Sequence, residues 1–521
     1  MLQHILYVLA PNLLEETRLA MVRLKATQLK KLPRGAEGFH IQHDLLGAIT
    51  LNVTFIHDID LVTNYLMENP VDLLIYDERG EDSFEAVEAA QIIKTNVNKM
   101  AEELGPGFLF PMRRMINILQ DHSHAERRSF ELGRIGIRDV IIDPKSTAHI
   151  LRWIRRVLYA GILRENRVGV ALSGGGLEGF LYQLGVIHAL NSALSYRSLS
   201  DIDVVSGISS GALAGSLLAG NIDTTEIIRA VHNKSEHLPP LTSGTLFDLA
   251  VSSISKRVIS QSLSWNLKPS RWMANLQRSL PTGFFKGDAL EAYFEAIMDW
   301  ANKTNRFQDL NTEFYVGATD QDSYKHVIFG ETGLNKMNIT EALRASSAFP
   351  LVFAPKEIQG RRYIDGQVTR SCNLEITIRK GCSLVFIIDP LKPAKNHRFG
   401  TAEAEGGFFT AIQVIKALCS TRFEANLKHV TNRFPDADFI IFQPDEECAS
   451  LMEGSPMRYK IRTQLIEMAY RSTLRKLRAH HPIYAATLNR YGFELKETEH
   501  LRDLEEEYDR IFETSNKSNT Y

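Results

Sequence analysis

Cysteine is scarce in this sequence: four in 521 residues, at Cys372, Cys382, Cys419 and Cys448, all in the last third. That argues against a disulfide scaffold, supplies no metal-ligand pair, and suits a reducing compartment. An excess of charge of either sign is also lacking, since 60 Lys and Arg face 62 Asp and Glu for a formal net charge of -2. Bulk attraction to nucleic acid or to an anionic membrane is thereby excluded, and any such contact needs a local patch. No uninterrupted apolar stretch reaches the ~20 residues of a spanning helix. The opening MLQHILYVLAPNLLEE lacks the basic region and small-residue cleavage site of a signal peptide. No internal repeat or low-complexity tract is present. The expectation is a soluble, cytoplasmic protein with no nucleic-acid partner, touching lipid peripherally if at all.

Ordinary globular material is abundant. The hydrophobic fraction is 44% and the charged fraction 23%, enough for a large core, and the length calls for two or three domains. The first ~165 residues alternate short apolar runs with amphipathic ones, which predicts a parallel α/β sheet. Strands are expected at His4–Leu9, Asn52–Ile56, Asp72–Tyr76, Met115–Leu119 and Asp139–Ile142, and helices at Leu61–Met67, Phe84–Leu104 and Thr147–Leu163. LLIYDE puts Asp77 at the end of the third strand, and GRIGIRDVIIDP leads into the last. In this pattern the segment resembles a response-regulator receiver domain, of flavodoxin-like fold, in which Asp77 holds the phosphoacceptor position. The first strand ends in Ala10-Pro11 rather than an acidic pair, and the last runs into Asp143-Pro144 rather than a lysine. The resemblance therefore implies a degenerate receiver, used for contact or for binding a regulatory partner.

A second α/β pattern starts at Arg167 and runs to about Pro390, with a mostly helical stretch between Thr224 and Gln308. Three of its segments carry chemistry together. VGVALSGGGLEGF is a strand, then Gly174-Gly175-Gly176, then a helix from Leu177. Consecutive glycines let successive N–H groups converge on one anion, and the helix terminus adds its dipole. No Lys-Ser or Lys-Thr pair follows, against a nucleotide loop. DVVSGISSGALAGSLLAG places Gly207-Ile208-Ser209-Ser210-Gly211 between a strand and a small-residue helix. That is the nucleophile elbow G-x-S-x-G in its required context, and the register of Gly207 and Gly211 selects Ser209 over Ser210. Later, the short strand Arg362-Tyr363-Ile364 delivers Asp365-Gly366, which on its own is the ordinary sequence of a turn.

In this order and spacing, the three segments resemble the patatin-like phospholipase family. Arg344-Ala345-Ser346-Ser347-Ala348-Phe349-Pro350 and Ala318-Thr319-Asp320 are similar to that family too. The resemblance spans roughly 167–390. It implies a three-layer α/β hydrolase fold with a Ser209–Asp365 dyad and an oxyanion hole from Gly174, Gly175, Gly176 and Leu177. It also implies ester hydrolysis on phospholipids, lysophospholipids or glycerides without metal or cofactor. Glu178 stands where the family's loop usually has a basic residue, and would disfavour anionic head groups. Gln367 replaces the second glycine of the family's Asp-Gly-Gly. A Ser–His–Asp triad would need a histidine after the acid; His397, His429, His480 and His481 qualify by position alone.

The expected domains are a receiver-like unit over 1–164, the hydrolase over 165–392, and a mostly helical extension over 393–521 packed on the hydrolase. The extension opens with a Gly-rich piece, GTAEAEGGFF, and closes with an acidic helix near Leu501–Phe512 and a disordered tail. Trp265 and Trp272, with Lys256, Arg257, Lys268 and Arg271, suit a lid or membrane-facing cap. The rival to an acyl hydrolase is a non-catalytic or weakly active lipid-binding scaffold with a vestigial site, and a transacylase is a third reading.

Overall fold

Val-, Ile- and Leu-rich strands followed by amphipathic helices build a parallel sheet covered on both faces, and the N-terminal sequence does so. The structure, a computed structural model, describes residues 2–29, 36–46, 49–80, 84–104, 110, 112–120, 124–144, 146–162, 167–195, 197–242, 248, 283–392, 401–434, 437–452 and 461–512. The chain divides into two units, the first of residues 1–166, 431–441 and 477–495, the second of 167–430, 442–476 and 496–521. The sequence placed the whole of 393–521 with the hydrolase; two of its pieces instead complete the first unit.

The first unit runs β1 (Leu2–Leu9), α1 (Pro11–Arg23), β2 (Thr27–Gln28), β3 (Glu37–Gln42), β4 (Thr50–Ile56), α2 (Asp60–Glu68) and β5 (Leu73–Asp77). Then come α3 (Ala86–Leu104), β6 (Met115–Leu119), α4 (Ala125–Ile135), β7 (Asp139–Ile142) and α5 (Thr147–Ile162). Strands β4, β1, β5, β6 and β7 lie in that order, all parallel, the order of flavodoxin-like sheets. Alternate residues of β1 enter opposite cores: Ile5, Tyr7 and Leu9 on the side of Met21 and Ile154, Leu6 and Val8 on that of Val62 and Ile93. Pro11 at the first helical turn starts α1, with one residue, Ala10, between it and the end of β1. The antiparallel β2–β3 addition at the edge went unread because EGFHIQ offers only Phe39 and Ile41 as apolar alternation.

Asp77 does close β5, but its carboxylate is fully engaged. Arg79 grips it with Nε at 2.8 Å and Nη2 at 2.7 Å, and the Tyr7 hydroxyl donates at 2.8 Å. A guanidinium thus sits on this carboxylate, at the position that the sequence resemblance assigned to a phosphoacceptor.

The second unit opens with β8 (Arg167–Leu172), α6 (Gly176–Ala193), β9 (Leu194–Ser195), β10 (Val204–Ile208), α7 (Ser210–Ala219), α8 (Thr224–Val231), β11 (Gly283–Phe285), α9 (Asp288–Trp300) and β12 (Glu313–Asp320). It continues with β13 (His326–Phe329), α10 (Ile339–Ser346), β14 (Leu351–Phe353), β15 (Lys356–Ile358), β16 (Arg361–Asp365), α11 (Leu374–Arg379), β17 (Cys382–Ile388) and α12 (Thr401–Arg433). Within the second unit the strands lie in the order β15–β16–β12–β10–β8–β17, with β13 on β12. Its middle, β12–β10–β8–β17, is parallel, and the β12–β16 and β12–β13 pairs are antiparallel. A side chain on Gly215 of α7 would meet Val205 and Leu172, whereas Ser206 and Gly169 face the start of α11 and Thr377. Adjacent strand positions face opposite sides, so helices cover both faces in three layers. The piece read as Gly-rich, 400–409, enters α12 from Thr401, a helix 33 residues long; helix propensity over the following run outweighs Gly406 and Gly407.

Candidate active site

A strand that must turn sharply into a helix needs backbone clearance at the turn, and the elbow shows where it comes from. A β-carbon on Gly207 would lie 2.3 Å from the Gly211 carbonyl oxygen, and one on Gly211 2.4 Å from that of Leu172. Between them Ser209 takes φ 55° and ψ -125° as the N-cap of α7, a conformation strained for any residue but glycine. Its N–H donates to the Ser346 hydroxyl at 2.7 Å, which in turn donates to the Gly317 carbonyl at 2.6 Å. The strained turn is therefore held from β12 and α10. Ser210 begins the helix proper, and the elbow conformation belongs to Ser209 alone.

Asp365, at the end of β16, is 0% exposed. Its N–H donates to Ala348 and its carbonyl accepts from Thr319 Oγ1. Its Oδ1 accepts the Gln367 N–H at 2.8 Å. Burial pushes its pKa up to about 7, with the Ser209 hydroxyl and the Gln367 N–H offsetting part of the rise. The Ser209 hydroxyl is thus felt at this carboxyl, while Oδ2 is buried without a regular hydrogen-bond partner. Pairs of this kind commonly tighten only when substrate binds. Near Asp365, His326 lies 2.8 Å from both Thr369 Oγ1 and Asn373 Oδ1. Burial drives its pKa down to about 4, so it is a neutral, fully engaged structural residue.

Both Ser209 and the glycine loop open on a cleft with about 860 Å³ of empty space, its mouth included. Leu177, Phe180, Leu213, Phe294, Phe349 and Phe353 give it apolar walls; Ile415, Lys416 and Cys419 of α12 complete them. Gly175, Gly176 and Leu177 line it beside Ser209. Gly175 caps α6, whose first residue is Gly176 at φ 65°, so a helix N-terminus begins at the cleft. Gly174 is placed otherwise: a β-carbon there would meet the Gln367 side chain at 2.2 Å, and it does not line the cleft. Buried polar atoms without a regular hydrogen-bond partner gather here: Ser210 Oγ, Ser347 Oγ and Gln367 Nε2 beside Asp365 Oδ2. Such a cluster in a folded protein calls for a functional explanation.

Glu178 is 0% exposed, lies in the first turn of α6, and pairs with Lys416 Nζ at 3.6 Å. It is thus a buried, dipole-favoured partner of a lysine and does not line the cleft. The sequence offered no signal for Lys416, because the pair closes over more than two hundred residues. Of the histidines considered for a triad, His397 lies outside the described residues, and His429, His480 and His481 do not line the cleft. The tryptophan-rich cap, Lys256 to Trp272, also lies outside the described residues. Among the described residues, no group of three His, Cys, Asp or Glu side chains could hold a metal. No helix among them is long and apolar enough to cross a membrane.

Residues 170–378 match the Patatin family model, described as patatin-like phospholipase. The matched segment runs from within β8 into α11 and includes the glycine loop, the elbow and Asp365. The crystal structure of VipD from Legionella pneumophila is similar at 17% identity over 61% of this chain and 67% of that chain, with a TM-score of 0.31. That likeness is too slight to argue from.

Proposed function

From a chain whose residues 170–378 form a patatin-like phospholipase domain, we propose a serine acyl hydrolase that cleaves lipid esters with Ser209 and Asp365. The observation that carries this reading is a buried carboxyl, raised to about 7, within reach of a serine on a strained elbow at an apolar cleft. An aspartate at its ordinary pKa is too weak a base for a serine hydroxyl; one near neutrality is matched to the task.

In the proposed cycle, Ser209 Oγ attacks the ester carbonyl carbon while its proton passes to Asp365. The carbonyl oxygen becomes an oxyanion facing the N–H groups of Gly175, Gly176 and Leu177 at the start of α6. Collapse breaks the ester C–O bond, and the protonated Asp365 returns its proton to the leaving alcohol. Water, deprotonated by Asp365, then attacks the acyl-enzyme, releasing the carboxylic acid and restoring the serine. The apolar walls suit an acyl chain. Peripheral contact with a lipid surface is supported by Val368, Val414 and Leu418, exposed at 37%, 53% and 55%; each adjoins a cleft-lining residue, Gln367, Ile415 or Cys419. For the first unit we propose contact or partner binding rather than phosphotransfer, on the ground that Arg79 and Tyr7 occupy the Asp77 carboxylate.

The irregular Ser209–Asp365 pairing favours one second reading, a lipid-binding module with a vestigial site. Hydrolysis of a short-chain p-nitrophenyl ester by the wild type, Ser209→Ala and Asp365→Asn decides between them. Activity lost in both folded variants supports the hydrolase. Activity that survives Ser209→Ala refutes it.

A further inference from the structure

Glycines give a loop freedom, not a shape. The turn Gly174–Gly176 needs that freedom, yet its donors can serve an oxyanion only if something else fixes their direction. One end is fixed by helix α6. At the other end stands Ser173, which is 0% exposed and has every polar group engaged. Its N–H donates to the Ile388 carbonyl at 3.1 Å, and its carbonyl accepts Gln183 Nε2 at 2.6 Å. Its hydroxyl donates to Asp389 Oδ1 at 2.7 Å.

Asp389 follows β17 directly and lies beyond the family-matched segment. It is 1% exposed, and its Oδ2 accepts Gln443 Nε2 at 2.9 Å, while its N–H donates to the Phe442 carbonyl. The next residue, Pro390, presses on the loop itself. A β-carbon on Gly175 would sit 2.6 Å from Pro390 Cγ, and one on Gly179 3.1 Å from it. Leu391 then lines the cleft. Three consecutive residues therefore bind the residue before the glycines, pack against the glycines, and contribute a wall to the same cavity.

We infer that Asp389 is a positioning residue for acyl transfer, acting through the Ser173 hydroxyl to hold the glycine loop in the shape of an oxyanion hole. This rests on the hydrolase reading of the same site. Asp389 touches no substrate atom and exchanges no proton in the reaction. What it supplies is preorganisation, so its loss should appear in the transition state and not in binding.

The test uses the full chain and four variants: Ser173→Ala, Asp389→Ala, the double variant, and Asp389→Asn. For each, kcat and KM on a short-chain p-nitrophenyl ester are measured alongside the thermal midpoint. Removing an oxyanion donor outright lowers kcat on the order of 10²–10³-fold, so a loosened loop should lose about tenfold to a hundredfold. Both single alanine variants are expected to show that loss with KM within about threefold of wild type. The double variant should be no slower than the slower single, because both act through one bond. Asp389→Asn should recover most of the loss, since its oxygen can still accept the serine hydroxyl once the Gln443 amide turns over. If Asp389→Ala does not fold, Ser173→Ala and Asp389→Asn carry the comparison. Full kcat in folded Ser173→Ala, losses that multiply in the double variant, or a change confined to KM would each overturn the assignment. An inactive wild type, or an active Ser209→Ala, instead removes the hydrolase reading and this inference with it.

Discussion

Asp365 and Ser209 both occupy states that an isolated residue would avoid, a carboxyl held out of water and a serine at φ 55°. For Asp365 the sign of the linkage is definite. Its folded pKa of about 7 lies above the ordinary carboxylate value, so the unfolded chain ionises first. Stability from this group is present at acid pH and falls as pH rises toward 7. Under the proposed mechanism activity runs the opposite way, because the base must be ionised. Ester hydrolysis by the wild type should therefore rise with pH to a plateau, with kcat/KM half-maximal near pH 7. Asp365→Asn should be inactive yet melt at a higher temperature than wild type at pH 8. Melting scans and a pH–rate profile check both; a lower melting point in Asp365→Asn would contradict the strained-carboxyl account.

Among the elements, the elbow and the glycine loop were legible because their chemistry is local: strand, small residues and helix follow within a dozen positions. Gly207 and Gly211 could be read directly, and the structure supplies the contacts that require them. Gly211→Ala should destabilise the fold by about 1–3 kcal/mol, as overpacking against backbone does, and the chemical denaturation midpoint measures it. An unchanged midpoint would mean the Leu172 carbonyl yields without resistance. The supports of these turns were not legible. Ser346 lay in a run read as family-like, but its reach to the elbow across 137 residues was not marked there, nor was that of Asp389 to Ser173 across 216. Glu178 shows the same limit. Its charge could be read from the sequence, but its burial against Lys416 could not.

For the molecule as a whole, hydrophobic periodicity identified helices after residue 393, but assigning all of 393–521 to the hydrolase core went beyond what that periodicity encodes. Residues 431–441 and 477–495 complete the first unit, a result of tertiary packing that amphipathic spacing cannot encode. Nor could it show that α12 forms part of the wall of the cleft. Between Gly406 and Ser420 this helix carries a single charge, Lys416, and it exposes Val414 and Leu418, each next in sequence to a cleft-lining residue. Replacing both with serine should reduce flotation with phosphatidylcholine vesicles severalfold and leave hydrolysis of a soluble ester within about twofold. Equal flotation would place lipid contact elsewhere on the protein.

The central claim, that Asp365 activates Ser209, is tested most directly by fluorophosphonate labelling read out by peptide mass spectrometry across pH. The predicted result is a single adduct on Ser209 whose rate of formation rises with a midpoint near pH 7 and disappears in Asp365→Asn. An adduct on Ser210, or labelling of Ser209 that persists in Asp365→Asn, would contradict the account.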